Sequence, residues 1–217
     1  MPDRLLLPVE VNVDGARSIM GRSTILCFPI ATWAFIVGAG VFALAKYEAT
    51  PGPGPDIHLA VPDAAATASD KMTLVMFVHP GCPCSAASLE ELSALMALGG
   101  SRLHASVEIF RSSREPDKWN EPSIWRSASE IPGMVVRADV DAVLARRCGA
   151  QTSGQVFLYD KTGRLMFQGG ITGSRGHVGD NDGLSALIHI VCGNAPAKAR
   201  PAHAPVFGCA IYSSADE

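Results

Sequence analysis

The sequence predicts an α/β domain with a central, mostly parallel sheet, carried behind one apolar N-terminal segment. Three observations point there. Short apolar runs of strand length alternate with helical stripes between residues 71 and 194, which argues for strands joined by helical crossovers. Well before them, Thr24–Ala45 ("TILCFPIATWAFIVGAGVFALA") runs 22 residues without a charge. Between the two lies "YEATPGPGPD", whose alternating prolines and glycines suit neither helix nor sheet.

Residues 1–23 are expected to form a short cytoplasmic segment and residues 24–46 a transmembrane helix, since about 20 apolar residues cross the hydrocarbon core of a bilayer. Arg17 and Arg22 precede the run and only Lys46 follows it closely, so the positive-inside bias leaves everything after Lys46 outside the cytoplasm. A cleaved signal peptide is the alternative, with Ala43-Leu44-Ala45 as its small-residue site. The apolar run is longer than the ~7–15 residues usual in such peptides. Cys27 reads as a small apolar residue within the span. Residues 47–70 are a linker, ending in the weakly patterned "DIHLAVPDAAATASD". A formal charge of −3 gives no reason to expect nucleic acid as a partner.

The outer domain is expected over residues 71–194. "KMTLVMFV" (71–78) is apolar on both faces, as in a covered strand. In "SAASLEELSALMAL" (85–98), Leu89, Leu92, Leu95 and Met96 form a helical stripe that Gly99-Gly100 ends. "LHASVEIF" (103–110) is a strand, residues 115–131 a polar loop carrying one short helix, and 134–138 another strand. Asp139 offers a cap to the helix "VDAVLARRCG". "QVFLYD" and "RLMFQGG" flank "KTG" as a hairpin. "NDGLSALIHIVCG" is a last helix, capped by Asn181 or Asp182. The order is β-α-β-(α)-β-α-β-β-α, followed by a tail over 195–217.

The chemistry is concentrated in "HPGCPC" (79–84), between the first strand and the first helix. A residue before proline is pushed out of the helical region, and proline favours the first helical position. That makes Cys82 the N-cap, Pro83 the first helical residue and Cys84 the second. A sulfur at Cys82 faces the positive end of the helix and its unpaired amides, which favours the thiolate. Cys82 is therefore the expected attacking sulfur. Cys84 is the nearest partner, although residues two apart on a helix do not face one another. A disulfide closed across one proline would be strained and readily reduced.

At this point the sequence resembles the thioredoxin-like proteins, whose redox cysteines occupy this turn. The anchor, linker and outward domain resemble the membrane-tethered bacterial thioredoxins of the TlpA and ResA kind. The wording is similar to RedB-type proteins in the His79–Cys84 turn, the "TSG" of Thr152–Gly154, the "GGITGSRGH" of Gly169–His177 and the "PVFGC" of Pro205–Cys209. The resemblance implies a thioredoxin-like fold, a mixed sheet flanked by helices, in a single-pass protein of the bacterial cytoplasmic membrane whose domain is periplasmic. It implies support around the cysteines from Thr152, Ser153 and Gly154, and it brings Arg175 and His177 beside Cys82. Either could favour a thiolate, and His177 could move protons. A solvated glycine-rich loop is the plainer reading of that segment. This chain departs from the pattern twice: its cysteines are one residue closer than C-x-x-C, and Ser153-Gly154 stands where the family carries a cis-proline.

Of six cysteines, all but Cys27 fall outside the apolar span. Cys148 is expected to be a buried small residue. Cys192 and Cys209 could form a structural disulfide tying the tail to the last helix. Alternatively Cys209 returns to the active turn as a resolving cysteine or a metal ligand. His79 could tune the thiol, bind metal, or simply be hydrogen-bonded at a strand end.

The function expected is thiol–disulfide exchange on protein thiols and disulfides, with Cys82 attacking, Cys84 resolving and a membrane electron donor resetting the pair. The alternative from a different class is a copper(I) metallochaperone using His79, Cys82, Cys84 and Cys209, because soft thiolates select copper(I). Peroxide reduction by the same thiolate would want a Thr or Ser and a proline just before the cysteine. Pro80 is present, and the hydroxyl is not evident. No nucleophile elbow, phosphate loop or nucleotide fingerprint occurs, so no cofactor is expected.

Overall fold

The apolar run after Lys71 becomes the centre of a six-stranded sheet. The computed structural model describes residues 14–54, 70–114, 123–193 and 200–212. The lead-in over 56–69 and the polar loop over 115–122 lie outside the described residues, as do parts of the N-terminal segment and the tail. The chain forms two units, Met1–Tyr47 and Glu48–Glu217.

The first unit contains helix α1 (Asp14–Glu48). Its stretch Phe28–Glu48 is long and apolar enough to cross a membrane, with a mean hydropathy of 1.9 and none of it buried. Phe28, Trp33, Phe35 and Phe42 are exposed, unlike the apolar stripe of a core helix.

The second unit contains β1 (Met72–Val78), α2 (Cys84–Gly99), β2 (Leu103–Arg111), α3 (Ser123–Ser129), β3 (Met134–Val140), α4 (Val143–Cys148), β4 (Gln155–Tyr159), β5 (Leu165–Gly169), α5 (Asp182–Cys192) and β6 (Ala202–His203). Strands run β3-β2-β1-β4-β5-β6 across the sheet. β1, β2 and β3 are mutually parallel, β4 is antiparallel to β1 and β5, and β6 is parallel to β5. Leu74, Met76 and Val78 pack on one face with Leu92 and Leu95 of α2 and Leu187 and Val191 of α5. Val75 and Phe77 pack on the other with Phe157, Ala145 and Cys148. Both faces of β1 are covered, as its unbroken apolar run requires. Cys148 is a buried small residue of this second layer, as expected.

Local signals explain most boundaries. Asn181 caps α5, its side chain accepting the Leu184 amide at 2.8 Å. Asp139 does cap α4, but from inside β3. Its carboxylate accepts the amides of Leu144 and Ala145, both at 2.8 Å, across a left-handed corner at Asp141 (φ 53°) and Ala142 (φ 56°). The corner costs backbone strain that the buried carboxylate offsets. Asp160 shapes the hairpin turn, its carboxylate accepting the amides of Thr162 at 2.9 Å and Arg164 at 3.0 Å.

The described parts of the linker and the tail are tied to the domain by hydrogen bonds. Gly52 donates its amide to Val206 at 2.8 Å, and the Pro53 carbonyl accepts the Thr152 hydroxyl at 2.9 Å. The tail returns past β5 as β6 and then lies antiparallel to residues 151–153. Thr152 bridges Ala210, Ser153 donates its amide to the Cys209 carbonyl at 2.8 Å, and Ile211 donates to Gln151 at 2.9 Å. The approach is close. A Cβ at Gly169 would meet the Ala204 carbonyl oxygen at 2.3 Å, and one at Gly208 the Ser153 carbonyl oxygen at 2.0 Å.

Candidate functional site

β1 ends at Val78 and α2 begins at Cys84, so the cysteine turn lies at the end of the central strand. Pro83, at φ −64° and ψ −23°, is itself the cap residue and Cys84 starts the helix. Cys82 stands one position earlier than the sequence suggested, because the chain turns before it enters the helix. The Cys82 amide donates to the His79 carbonyl and the Ser85 amide to the Cys82 carbonyl, both at 3.1 Å.

The Cys82 sulfur is buried, with 5% of the residue exposed, and it accepts the backbone amide of Cys209 at 3.4 Å. Burial opposes its ionisation, yet the hydrogen bonds it receives from Cys209, the Cys84 amide and Ser85 prevail and hold the thiol below its ordinary value. Cys84 moves the other way. Burial raises it first, then the neighbouring Cys82 charge, with the Arg175 guanidinium partly offsetting both. Cys209 is pushed up to about 11 by burial and then by its contact with Cys82, again against Arg175. One sulfur of the three is thus poised as the anion, and the other two are poised as its proton-bearing neighbours.

The supporting residues divide. Ser153 is buried, and its hydroxyl oxygen accepts the His79 amide at 2.8 Å and lies 2.8 Å from the Ser85 hydroxyl. Gly154 donates its amide to Phe77 at 2.8 Å, which ties this turn to β1. The Thr152 hydroxyl donates to the Pro53 carbonyl. No cis peptide bond occurs among the described residues. Arg175 does reach the site: its guanidinium donates to the Gly208 carbonyl and hydrogen-bonds Cys84. Its loop is anchored by the Gly179 amide on the buried Glu91 carboxylate.

Three expectations are corrected. His177 turns to the Glu48 carboxylate, 3.5 Å away, and 60% of its side chain is exposed. His79 serves the turn: Nδ1 accepts the Gly81 amide at 3.0 Å, and the ring stacks on Phe110 with centroids 5.3 Å apart. No group of three or more His, Cys, Asp or Glu suited to a metal ion occurs among the described residues. Cys192 and Cys209 do not pair. Cys192 is exposed beside the Leu98 carbonyl at the C-terminal end of α2, while Cys209 sits at the N-terminal end, and a 16-residue helix separates such ends by about 24 Å.

Sequence reasoning missed Ser85, Glu91 and Gly208. A hydroxyl at the second residue of α2 was the only available signal for Ser85. Buried Glu91 and the glycine next to Cys209 acquire meaning only once the loop and tail fold back.

No family model and no curated protein matches the chain. Among solved structures, an uncharacterized conserved protein from Geobacillus kaustophilus aligns at 20% identity over 77% of this chain and 92% of its own, with a TM-score of 0.49. A secreted Mycobacterium tuberculosis disulfide oxidoreductase homologous to E. coli DsbE aligns at 16% identity over 58% and 85%, with a TM-score of 0.41. Bradyrhizobium japonicum ScoI with copper bound aligns at 18% identity over 64% and 98%, with a TM-score of 0.38. The chain's own strand order, with parallel β1 and β2 beside antiparallel β4 and a cysteine turn between β1 and α2, is that of a thioredoxin-like fold.

Proposed function

We propose that this protein is a membrane-tethered, extracytoplasmic thiol–disulfide oxidoreductase acting on protein thiols and disulfides through the cysteine turn at 82–84. One observation carries the reading: the Cys82 sulfur is buried at the entrance of α2 and accepts main-chain amides, which favour the thiolate needed for attack on a disulfide. A cavity of about 230 Å³, lined by Cys82 with Pro80, Gly81, Pro83, Ala86 and Ile124, offers a substrate sulfur room to approach. The apolar stretch 24–46 serves as the anchor, with 47–70 as the connection, and a dithiol donor in the membrane resets the cysteines.

The test is reduction of a model protein disulfide by the full chain in detergent, with its redox potential measured against glutathione. Cys82→Ser is expected to abolish turnover. Undiminished activity in that variant would sink the assignment.

A further inference from the structure

We infer that Cys209 is the second redox cysteine of this site, closing a disulfide onto the Cys82 sulfur while Cys84 remains a thiol. The inference rests on the oxidoreductase reading and changes its resolving partner.

Cys84 and Cys209 both neighbour Cys82, the first two residues along the chain and the second through an amide 3.4 Å from the Cys82 sulfur, but bonding asks different things of them. Cys84 is separated from Cys82 only by Pro83, whose φ and ψ are helical, and the turn is closed by the Ser85 amide on the Cys82 carbonyl at 3.1 Å. A bond between residues two apart closes a short ring across Pro83, so it must distort the turn or carry strain. Cys209 comes from a separate, extended segment. Its carbonyl accepts the Ser153 amide at 2.8 Å and its amide lies 3.4 Å from the Cys82 sulfur. The main chain is thereby pinned on both sides of the residue, and no short ring is closed.

Access points the same way. Among the described residues, none of the tail lines the cavity that reaches Cys82 past Pro80, Pro83 and Ile124. A substrate sulfur and the Cys209 sulfur can therefore approach Cys82 by separate routes, as a displacement with one sulfur entering and another leaving requires.

The exchange balances as follows. The Cys82 thiolate attacks a substrate disulfide, forming a mixed disulfide and releasing one substrate thiolate. Cys209 gives up its proton and attacks the Cys82 sulfur, expelling the second substrate thiolate. The two released thiolates take up the Cys209 proton and one from solvent. The substrate disulfide has gained two electrons, and Cys82 and Cys209 have lost them to become a disulfide, which an external dithiol reduces again.

The experiment treats the full chain with dithionitrobenzoate, alkylates remaining thiols and maps tryptic peptides without reduction. Trypsin leaves Cys82 and Cys84 together between Lys71 and Arg102, and Cys209 on another peptide. The expected product joins the two peptides, with Cys84 alkylated. Cys84→Ser should still form that link. Cys209→Ser should accumulate the mixed disulfide on Cys82, with turnover of a protein disulfide slowed by at least about tenfold for want of a tethered thiol. An internally looped Cys82–Cys84 peptide with Cys209 alkylated, or trapping by Cys84→Ser and not by Cys209→Ser, overturns the inference and leaves the oxidoreductase reading intact. Absence of any adduct on Cys82 in every variant overturns both.

Discussion

The Ser153 hydroxyl accepts the His79 amide at 2.8 Å, joining the turn before the cysteines to the turn before β4 across 74 residues of chain. The same serine gives its own amide to Cys209, so one residue braces the reactive turn and docks the tail. Ser153→Pro removes both groups. Losing one hydrogen bond of about 1 kcal/mol corresponds to roughly fivefold in a local opening equilibrium. Timed alkylation of the native protein is expected to label Cys209 several-fold faster in the variant. An unchanged rate would mean that this bond does not hold the tail.

Gly208 allows the tail to pass within contact of Ser153, where a Cβ would stand 2.0 Å from the carbonyl oxygen. Gly208→Ala should lift the segment and withdraw the Cys209 amide from the Cys82 sulfur. The Cys82 thiol then moves up toward the ordinary value of about 8.5. The pH dependence of its iodoacetamide reaction, read by mass mapping, reports the shift. A wild-type profile in this variant would show that the amide does not set the thiol.

The pH profiles of two cysteines should also separate within the unmodified protein. Cys82 is held below the ordinary thiol range, so its alkylation persists as pH falls toward neutral. Cys209 stays protonated there and gains reactivity only as pH rises toward about 11. Burial is the leading cause for Cys209 and the Cys82 sulfur the next. Cys82→Ser should therefore bring the Cys209 midpoint down part of the way, and an unmoved midpoint would argue that the two sulfurs do not interact.

Asp139→Ala tests the corner that starts α4. The variant leaves the Leu144 and Ala145 amides without their acceptor while Asp141 and Ala142 keep their left-handed conformations. A loss of about 1–2 kcal/mol in urea unfolding of the full chain is expected, in line with capping residues elsewhere. No loss would place the energy of the corner in the packing of Ala142 and Ala145.

Alternation of apolar runs with helical stripes was enough to lay out the strands, because β1 is covered on both faces and α2 carries its leucines toward the sheet. Asn181 and Asp139 announced their helices by residue type. The turn that carries Cys82 was legible because proline after cysteine constrains the backbone locally, although the cap falls on Pro83 and not on Cys82. The return of Cys209 to the cysteine turn was one of two open readings of the tail, and the way the tail docks was not legible. Its docking uses main-chain groups and a single bridge at Thr152 and Ala210, and pairing of that kind leaves no period in the sequence. Arg175 could be placed near the site through its loop, whereas His177, two residues on, turns to Glu48, a distinction that depends on how one loop is anchored by Glu91.

The bonds holding 208–211 in place are made by carbonyls and amides of that segment. Those bonds read main chain, while the Ile211 side chain, 2% exposed, completes the second core layer beside Phe77 and Phe157, so the segment is held by its sequence as well as by its backbone. A chain offering only the same carbonyls and amides would leave that layer unfilled, and the resident one prevails both by filling it and by being permanently attached.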